Sequence, residues 1–262
     1  MAQPKILIRS LTKRYVEGSV LAFENLNLEV LENEILCILG PSGCGKTTLL
    51  KIIDGLMPPD TGEVRIDGEV VQGPRPTVAM VFQHFGLFPW KTVAENISYG
   101  LRVQGRPQQE IGAALGKYVK MVGLEGFERA YPYQLSGGMQ QRCGLARALA
   151  INPKILLMDE PFGAVDAQTR EILQEELLRI WEVEKKTMVF ITHSIDEAIL
   201  LGDRVAVMSP RPGQIREVLP VHLRRPRDIN AMRGEEEYLR LRNHIWDQLR
   251  REGAPALRSR GR

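Results

Sequence analysis

Residues 34–47 read EILCILGPSGCGKT, an apolar run that ends in a glycine-rich turn with Lys46 and Thr47 behind it. The run Glu34–Leu39 is apolar on nearly every position, the pattern of a strand buried on both faces. The eight residues after it, Gly40, Pro41, Ser42, Gly43, Cys44, Gly45, Lys46 and Thr47, match G-x-x-x-x-G-K-[ST] in full. A buried strand before the turn and a helix after it, expected over Thr47–Gly55, is the setting in which this spacing makes a phosphate-binding loop. Glycine is needed because successive N–H groups must turn inward, and side chains there would block the anion. The helix N-terminus, with Thr48 in its first turn, adds a partial charge of about +0.5. Lys46 supplies a full cation, and Thr47 a hydroxyl for Mg²⁺.

Working outward, the segments Ile6–Ile8 and Val20–Val30 alternate as strands, and Gly62–Val71 alternates around Asp67-Gly68, a hairpin signal. TVAMVF at 77–82 is a further short strand. From about Lys91 to Pro153 the pattern is helical. Strands then return at Lys154–Met158, Thr187–Thr192 and Arg204–Met208, with helices expected over Asp166–Lys185 and Ile195–Gly202. Buried strands alternating with helices predict an α/β fold. The expected architecture is a P-loop NTPase core: a mainly parallel sheet with helices on both faces, an antiparallel β subdomain, and a helical subdomain inserted at about 91–153. The core is placed at 1–223. Residues 224–262 form an extension with an amphipathic helix near Glu235–Glu252 and, from Pro255, a disordered end.

The 262 residues are 44% hydrophobic and 26% charged, enough for a well-buried core. The net charge of +3 is uneven: the last 39 residues hold eleven Arg against six acids. Such a tail reads as solvated chain or as attracted to an anionic membrane surface. No apolar run approaches the roughly 18 residues of a membrane span, and the start carries no signal-peptide core, so a cytosolic chain is expected. Cys37, Cys44 and Cys143 fit neither a metal spacing nor a disulfide framework.

Two more segments carry chemistry. ILLMDE at 155–160 brings Asp159 to the C-terminal edge of a strand, where ligands bind in open α/β sheets. A carboxylate there can hold Mg²⁺, and Glu160, one residue on, points elsewhere and can take a proton from an attacking water. LSGGMQQR at 135–142 sets Ser136, Gly137 and Gly138 at a helix start, which is anion-binding equipment without a cation of its own.

With Gln83 after TVAMVF, Ala164-Val165-Asp166, and His193 after MVFIT, these motifs stand in an order that resembles the ATP-binding subunit of an ABC transporter. The likeness spans about Ile6 to Met208. It implies Glu160, His193, Gln83 and Lys46 as catalytic residues, and Thr47, Gln83 and Asp159 around Mg²⁺. It places Tyr15 on the adenine of ATP and Asp166 in a loop facing the opposite subunit. It also implies a head-to-tail homodimer in which Ser136, Gly137 and Gly138 close over the γ-phosphate held by the partner's Lys46. Met139 stands where the commoner signature has Gln, and a thioether cannot hydrogen-bond ribose.

A single ATPase domain of this kind further implies integral membrane permease subunits, a separate solute-binding protein, and a peripheral location on the cytoplasmic face of the inner membrane. GLFPWKTVAENISYG, FGAVDAQTR and MSPRPGQI resemble the nitrate/sulfonate/taurine importer group. Five of the sixteen aromatics, Phe82, Phe85, Phe88, Trp90 and Tyr99, crowd into residues 82–99 and are expected to receive a permease helix. Nucleic acid is not expected as a partner, since only 52 positions separate Gln83 from Leu135 and no heptad run fills them. No N-K-x-D motif supports a GTPase.

Overall fold

The computed structural model describes residues 3–15, 20–83, 86–163 and 165–258. The chain divides into two compact units, one of residues 1–75 and 185–262, the other of residues 76–184.

The first unit holds two sheets. β1 (Ile6–Tyr15), β2 (Val20–Val30), β4 (Thr61–Ile66) and β5 (Glu69–Val70) form an antiparallel sheet in the order β2-β1-β4-β5. β1 is longer than the alternation of its first residues predicts. A register shift follows Ile8, where Ser10 takes a positive φ of 47°, and this breaks the period of two. The Asp67-Gly68 hairpin forms as expected, with φ of 52° and 80°, the primed turn that suits the strand twist. In the second sheet β3 (Ile35–Leu39) pairs in parallel with β8 (Thr187–Thr192) on one side and β9 (Arg204–Met208) on the other. Every residue of β3 and β8 is buried, which is why both read as unbroken apolar runs. β10 (Ile215–Pro220) joins antiparallel to β9. It has no sequence signature, because an edge strand with half-buried residues on both faces has no clean alternation.

Helix α1 (Lys46–Ile53) leaves the end of β3 through the glycine turn, and α6 (Ile195–Leu201) packs on β3, β8 and β9. The C-terminal segment carries α7 (Ile229–Met232) and α8 (Glu236–Arg258), and α8 packs on α6. The disordered end expected from Pro255 is not found up to Arg258: the backbone stays helical. One proline removes a single donor from a helix that already has several turns to propagate from; residues 259–262 lie outside the described residues. The basic segment is also not simply solvated. The buried Arg227 donates to the carbonyls of Ile199, Leu200 and Gly202 at 2.7–3.0 Å, capping the C-terminus of α6. Arg225 bonds Leu201 O and the Asp203 carboxylate.

The second unit holds β6 (Val78–Val81) paired in parallel with β7 (Ile155–Asp159), and the helices α2 (Val93–Val103), α3 (Gln108–Met121), α4 (Gly137–Ala150) and α5 (Ala167–Glu184). α2, α3 and α4 pack on one another, so the stretch expected to be helical is so. Thr92 and Glu95 build a reciprocal capping box at the start of α2. All three cysteines are buried and unbridged, and burial pushes the Cys143 thiol up to about 12, so it packs rather than reacts.

Asp54, at the C-terminus of α1, is nearly enclosed, and desolvation raises its carboxyl from the ordinary 3.8 to about 6. Between those two values the folded chain binds more protons than the unfolded one, so stability falls as pH rises through that window and stays lowered above it. Asp54→Asn is therefore expected to stabilise the chain at pH 7.5 by up to about 3 kcal/mol and to gain nothing at pH 4. Urea unfolding at the two pH values checks this.

Candidate functional site

The phosphate loop is shaped by close approach. Gly45 caps α1 in the left-handed region at φ 103°, and a Cβ there would meet the Phe23 ring at 2.9 Å. At Gly40 a Cβ would lie 2.7 Å from Met208 O. Gly45 offers α1 no side-chain cap, and a helix N-terminus favours an anion. Lys46 is buried, its Nζ donating to Gly40 O at 2.8 Å and Pro41 O at 3.0 Å, which places the ammonium beneath the turn. Thr47 and Thr48 occupy the first turn of α1. Tyr15, at the end of β1, is half-buried, and its hydroxyl hydrogen-bonds Thr48 Oγ1 at 2.9 Å. The aromatic ring expected near the nucleotide is thus tied to the helix that follows the phosphate loop.

His193 is exposed at the end of β8, in a turn held from both sides. Ser194 N donates to Thr192 Oγ1 at 3.0 Å, Thr192 Oγ1 donates to Glu197, and Ser194 Oγ caps α6 by accepting from Glu197 N. Thr192, Ser194 and Glu197 carry no chemistry in the sequence reading, though Ser194-x-x-Glu197 has the spacing of a capping box.

In the second unit Asp159 ends β7 and is 3% exposed. Glu160 follows at a positive φ of 48°, a conformation that costs a non-glycine residue about 1–3 kcal/mol. It turns Glu160 off the line of the strand, as the expected division of labour between the two acids requires. Gln83 Nε2 donates to Glu160 Oε2 at 3.4 Å, so the structure brings these two candidates together. Ala164 lies outside the described residues. Asp166 caps α5 by accepting from Thr169 N at 3.0 Å, and that bond holds its carboxyl below the usual range.

Ser136 caps α4, its Oγ accepting from Met139 N at 3.3 Å. Gly137 and Gly138 differ from the glycines of the phosphate loop. Neither has a positive φ, a Cβ at Gly137 would meet nothing within 4 Å, and one at Gly138 only Val165 Cγ1 at 3.9 Å. Nothing within the described chain demands glycine at either position.

As donors for Mg²⁺, the Thr47 hydroxyl, the Gln83 amide and the Asp159 carboxylate are all hard oxygens, which fits the ion. Among the described residues no cluster of three or more His, Cys, Asp or Glu forms a metal cage.

Of the crowded aromatics, Phe88 contacts Tyr99 at 4.6 Å and Trp90 at 5.8 Å between ring centres, and Trp90 is 70% exposed. His84 and Phe85 lie outside the described residues. The sequence reading missed what holds this patch. Asn96 on α2 is fully buried; it accepts from Phe88 N and donates to the carbonyls of Phe88, Lys91 and Thr92. Arg147 on α4 donates to Gly86 O and lies over the Phe88 ring.

The ABC transporter family model matches residues 23–163. The chain is 53% identical over 256 residues to an uncharacterized ABC transporter ATP-binding protein of Methanocaldococcus jannaschii, covering 97% of this chain and 94% of that one. It is 48% identical over 206 residues to the nitrate import ATP-binding protein NrtD of Synechocystis, covering 79% and 77%. With the aliphatic sulfonates import ATP-binding protein SsuB of Bacillus cereus it shares 45% over 231 residues, covering 88% and 89%. Among solved structures, a dimeric bacterial ABC transporter cassette superposes with a TM-score of 0.76 at 35% identity, over 84% of this chain and all of that one. A post-hydrolysis dimer bound to ADP and Pi matches equally well. The chain belongs to the ABC transporter family, as an ATP-binding subunit: an ATPase coupled to transport.

Asn96→Ala would take from Phe88 N and Lys91 O the partner they have here, while Phe88 O keeps Lys91 N and Thr92 O keeps the backbone N–H of residue 96. We expect a loss of about 2–4 kcal/mol in urea unfolding. A loss below about 0.5 kcal/mol would remove Asn96 from this role.

Proposed function

We propose that this chain powers a solute importer as a head-to-tail homodimer on the cytoplasmic face of the inner membrane. Each ATP lies between the phosphate loop of one chain and Ser136-Gly137-Gly138 of the other. The observation that carries this reading is the start of α4, where Ser136 caps the helix and two glycines follow whose missing side chains no intrachain packing explains. A surface kept bare and rich in N–H groups fits a phosphate brought by a partner.

In this reading Tyr15 stacks on adenine, residues 40–48 cradle the phosphates, and Lys46 neutralises them. Thr47, Asp159 and Gln83 would hold Mg²⁺, which on binding screens phosphate charge and fixes its orientation. Glu160 takes the proton of the attacking water while Gln83 orients it; His193 hydrogen-bonds the γ-phosphate, and Asp166 faces the opposite subunit. Catalysis is then mainly positioning and charge stabilisation.

The ring cluster of half-buried Phe88 with exposed Trp90 and Tyr99, braced by Asn96, receives a cytoplasmic helix of the permease. The nitrate and sulfonate import relatives support a small nitrate-, sulfonate- or taurine-type solute, delivered by a separate binding protein. No helix among the described residues is long and apolar enough to cross a membrane, which fits a peripheral subunit.

Ser136→Arg and Lys46→Ala are each expected to lower ATP turnover on the order of 10²-fold or more. Mixed together, they form heterodimers with one intact composite site and regain turnover that neither has alone. Steady-state ATPase assays of the mixture check this, and no recovery would count against the head-to-tail arrangement.

A further inference from the structure

The segment Met208–Ile215, MSPRPGQI, has no part in the chemistry above. In the structure Ser209–Gln214 is a closed loop between β9 and β10. Ser209 N donates to Gln214 O at 2.9 Å, and Gln214 N returns to Ser209 Oγ at 3.0 Å. The loop is pressed onto the phosphate loop and its surroundings. Gly213 N donates to Ala22 O at 2.8 Å, and a Cβ on Gly213 would lie 2.2 Å from Cys44 O, so only glycine fits there. From this anchored base the exposed Arg211 sends Nε and Nη2 onto Gly43 O, at 3.1 and 2.9 Å.

Gly43 sits in the middle of the phosphate loop at φ 81°. A glycine there leaves the Gly43–Cys44 peptide plane free to rotate. The C=O and N–H of one trans peptide point to opposite sides. A rotation that swings the carbonyl toward a phosphate would turn its negative end on an anion. Two guanidinium donors on Gly43 O oppose that rotation by fixing the carbonyl on the Arg211 side. A charged donor on the carbonyl also polarises the peptide and strengthens its N–H as a donor.

We infer that Arg211 is a positioning residue of the phosphate loop: it locks the Gly43 carbonyl outward and so holds the cradle in its anion-binding form. This rests on the reading that residues 40–48 hold the phosphates of ATP. Backbone N–H groups of such a loop serve phosphates that ADP and ATP share, so Arg211 supports both nucleotides alike.

The test is nucleotide binding by the full chain with Arg211→Met, Arg211→Lys and Lys46→Ala. Arg211→Met is expected to weaken ADP and ATP alike by about tenfold, or 1.4 kcal/mol. Its melting temperature stays unchanged, and kcat at saturating ATP stays within about twofold. Arg211→Lys, whose ammonium is a single point donor in place of the fork, recovers only part of the affinity. Unchanged binding in Arg211→Met overturns the inference. So does a loss confined to ATP, which would make Arg211 a direct γ-phosphate contact, or a loss seen only with a lowered melting temperature. If Lys46→Ala binds ATP like the parent chain, the phosphate-loop reading itself fails. If Lys46→Ala loses binding while Arg211→Met keeps it, only the role of Arg211 is lost.

Discussion

Backbone N–H groups can hold a phosphate only where nothing covers them and where the chain cannot fold back to satisfy them. The phosphate loop meets that constraint through its neighbours. Gly45 is turned into the left-handed region against Phe23, Gly40 lies against the carbonyl of Met208, and Lys46 is buried under the turn on two of its carbonyls. Most of the first unit can be understood as a frame for this. β3 delivers the loop, β8 and β9 flank β3 on either side, β2 supplies Phe23, and α1 leaves from Gly45 with no side-chain cap.

The other phosphate-type turn obeys a different rule. Ser136-Gly137-Gly138 has the same ingredients but no buried cation and no packing that needs its glycines. A glycine costs helix stability relative to alanine, roughly 0.5–1 kcal/mol in a helix interior. Two in succession at the start of α4 are required by no packing among the described residues, and the proposed partner phosphate would account for them. The same contrast separates Asp159, sealed at the end of β7, from Glu160, which leaves the strand line through a strained φ and meets Gln83.

How much of this was legible in the sequence depended on whether the signal was local. The run EILCIL, the spacing of Gly40 to Thr47 and the Asp67-Gly68 turn each carry their own physics within a few residues, and all are found in place. The bulge at Ser10 hid the length of β1 because it broke the alternation that reveals strands. β10 was missed for want of any alternation, and the helix past Pro255 because proline is a breaker only on average. Among site residues, the ordered motifs identified the candidates but not their supports. Asn96, Thr192, Ser194 and Arg211 act through hydrogen bonds to backbone, and only the capping-box spacings at 92–95 and 194–197 offered a local cue to any support.

In the proposed cycle everything depends on closure of two chains around ATP, and the mass of the chain in solution reports it directly. With Glu160→Gln, which removes the proposed proton acceptor, sedimentation with Mg-ATP should give a species near twice 29.6 kDa. Without nucleotide the mass should fall to that of a single chain. A Glu160→Gln chain that binds ATP yet stays at the single-chain mass would contradict closure of two chains around the nucleotide.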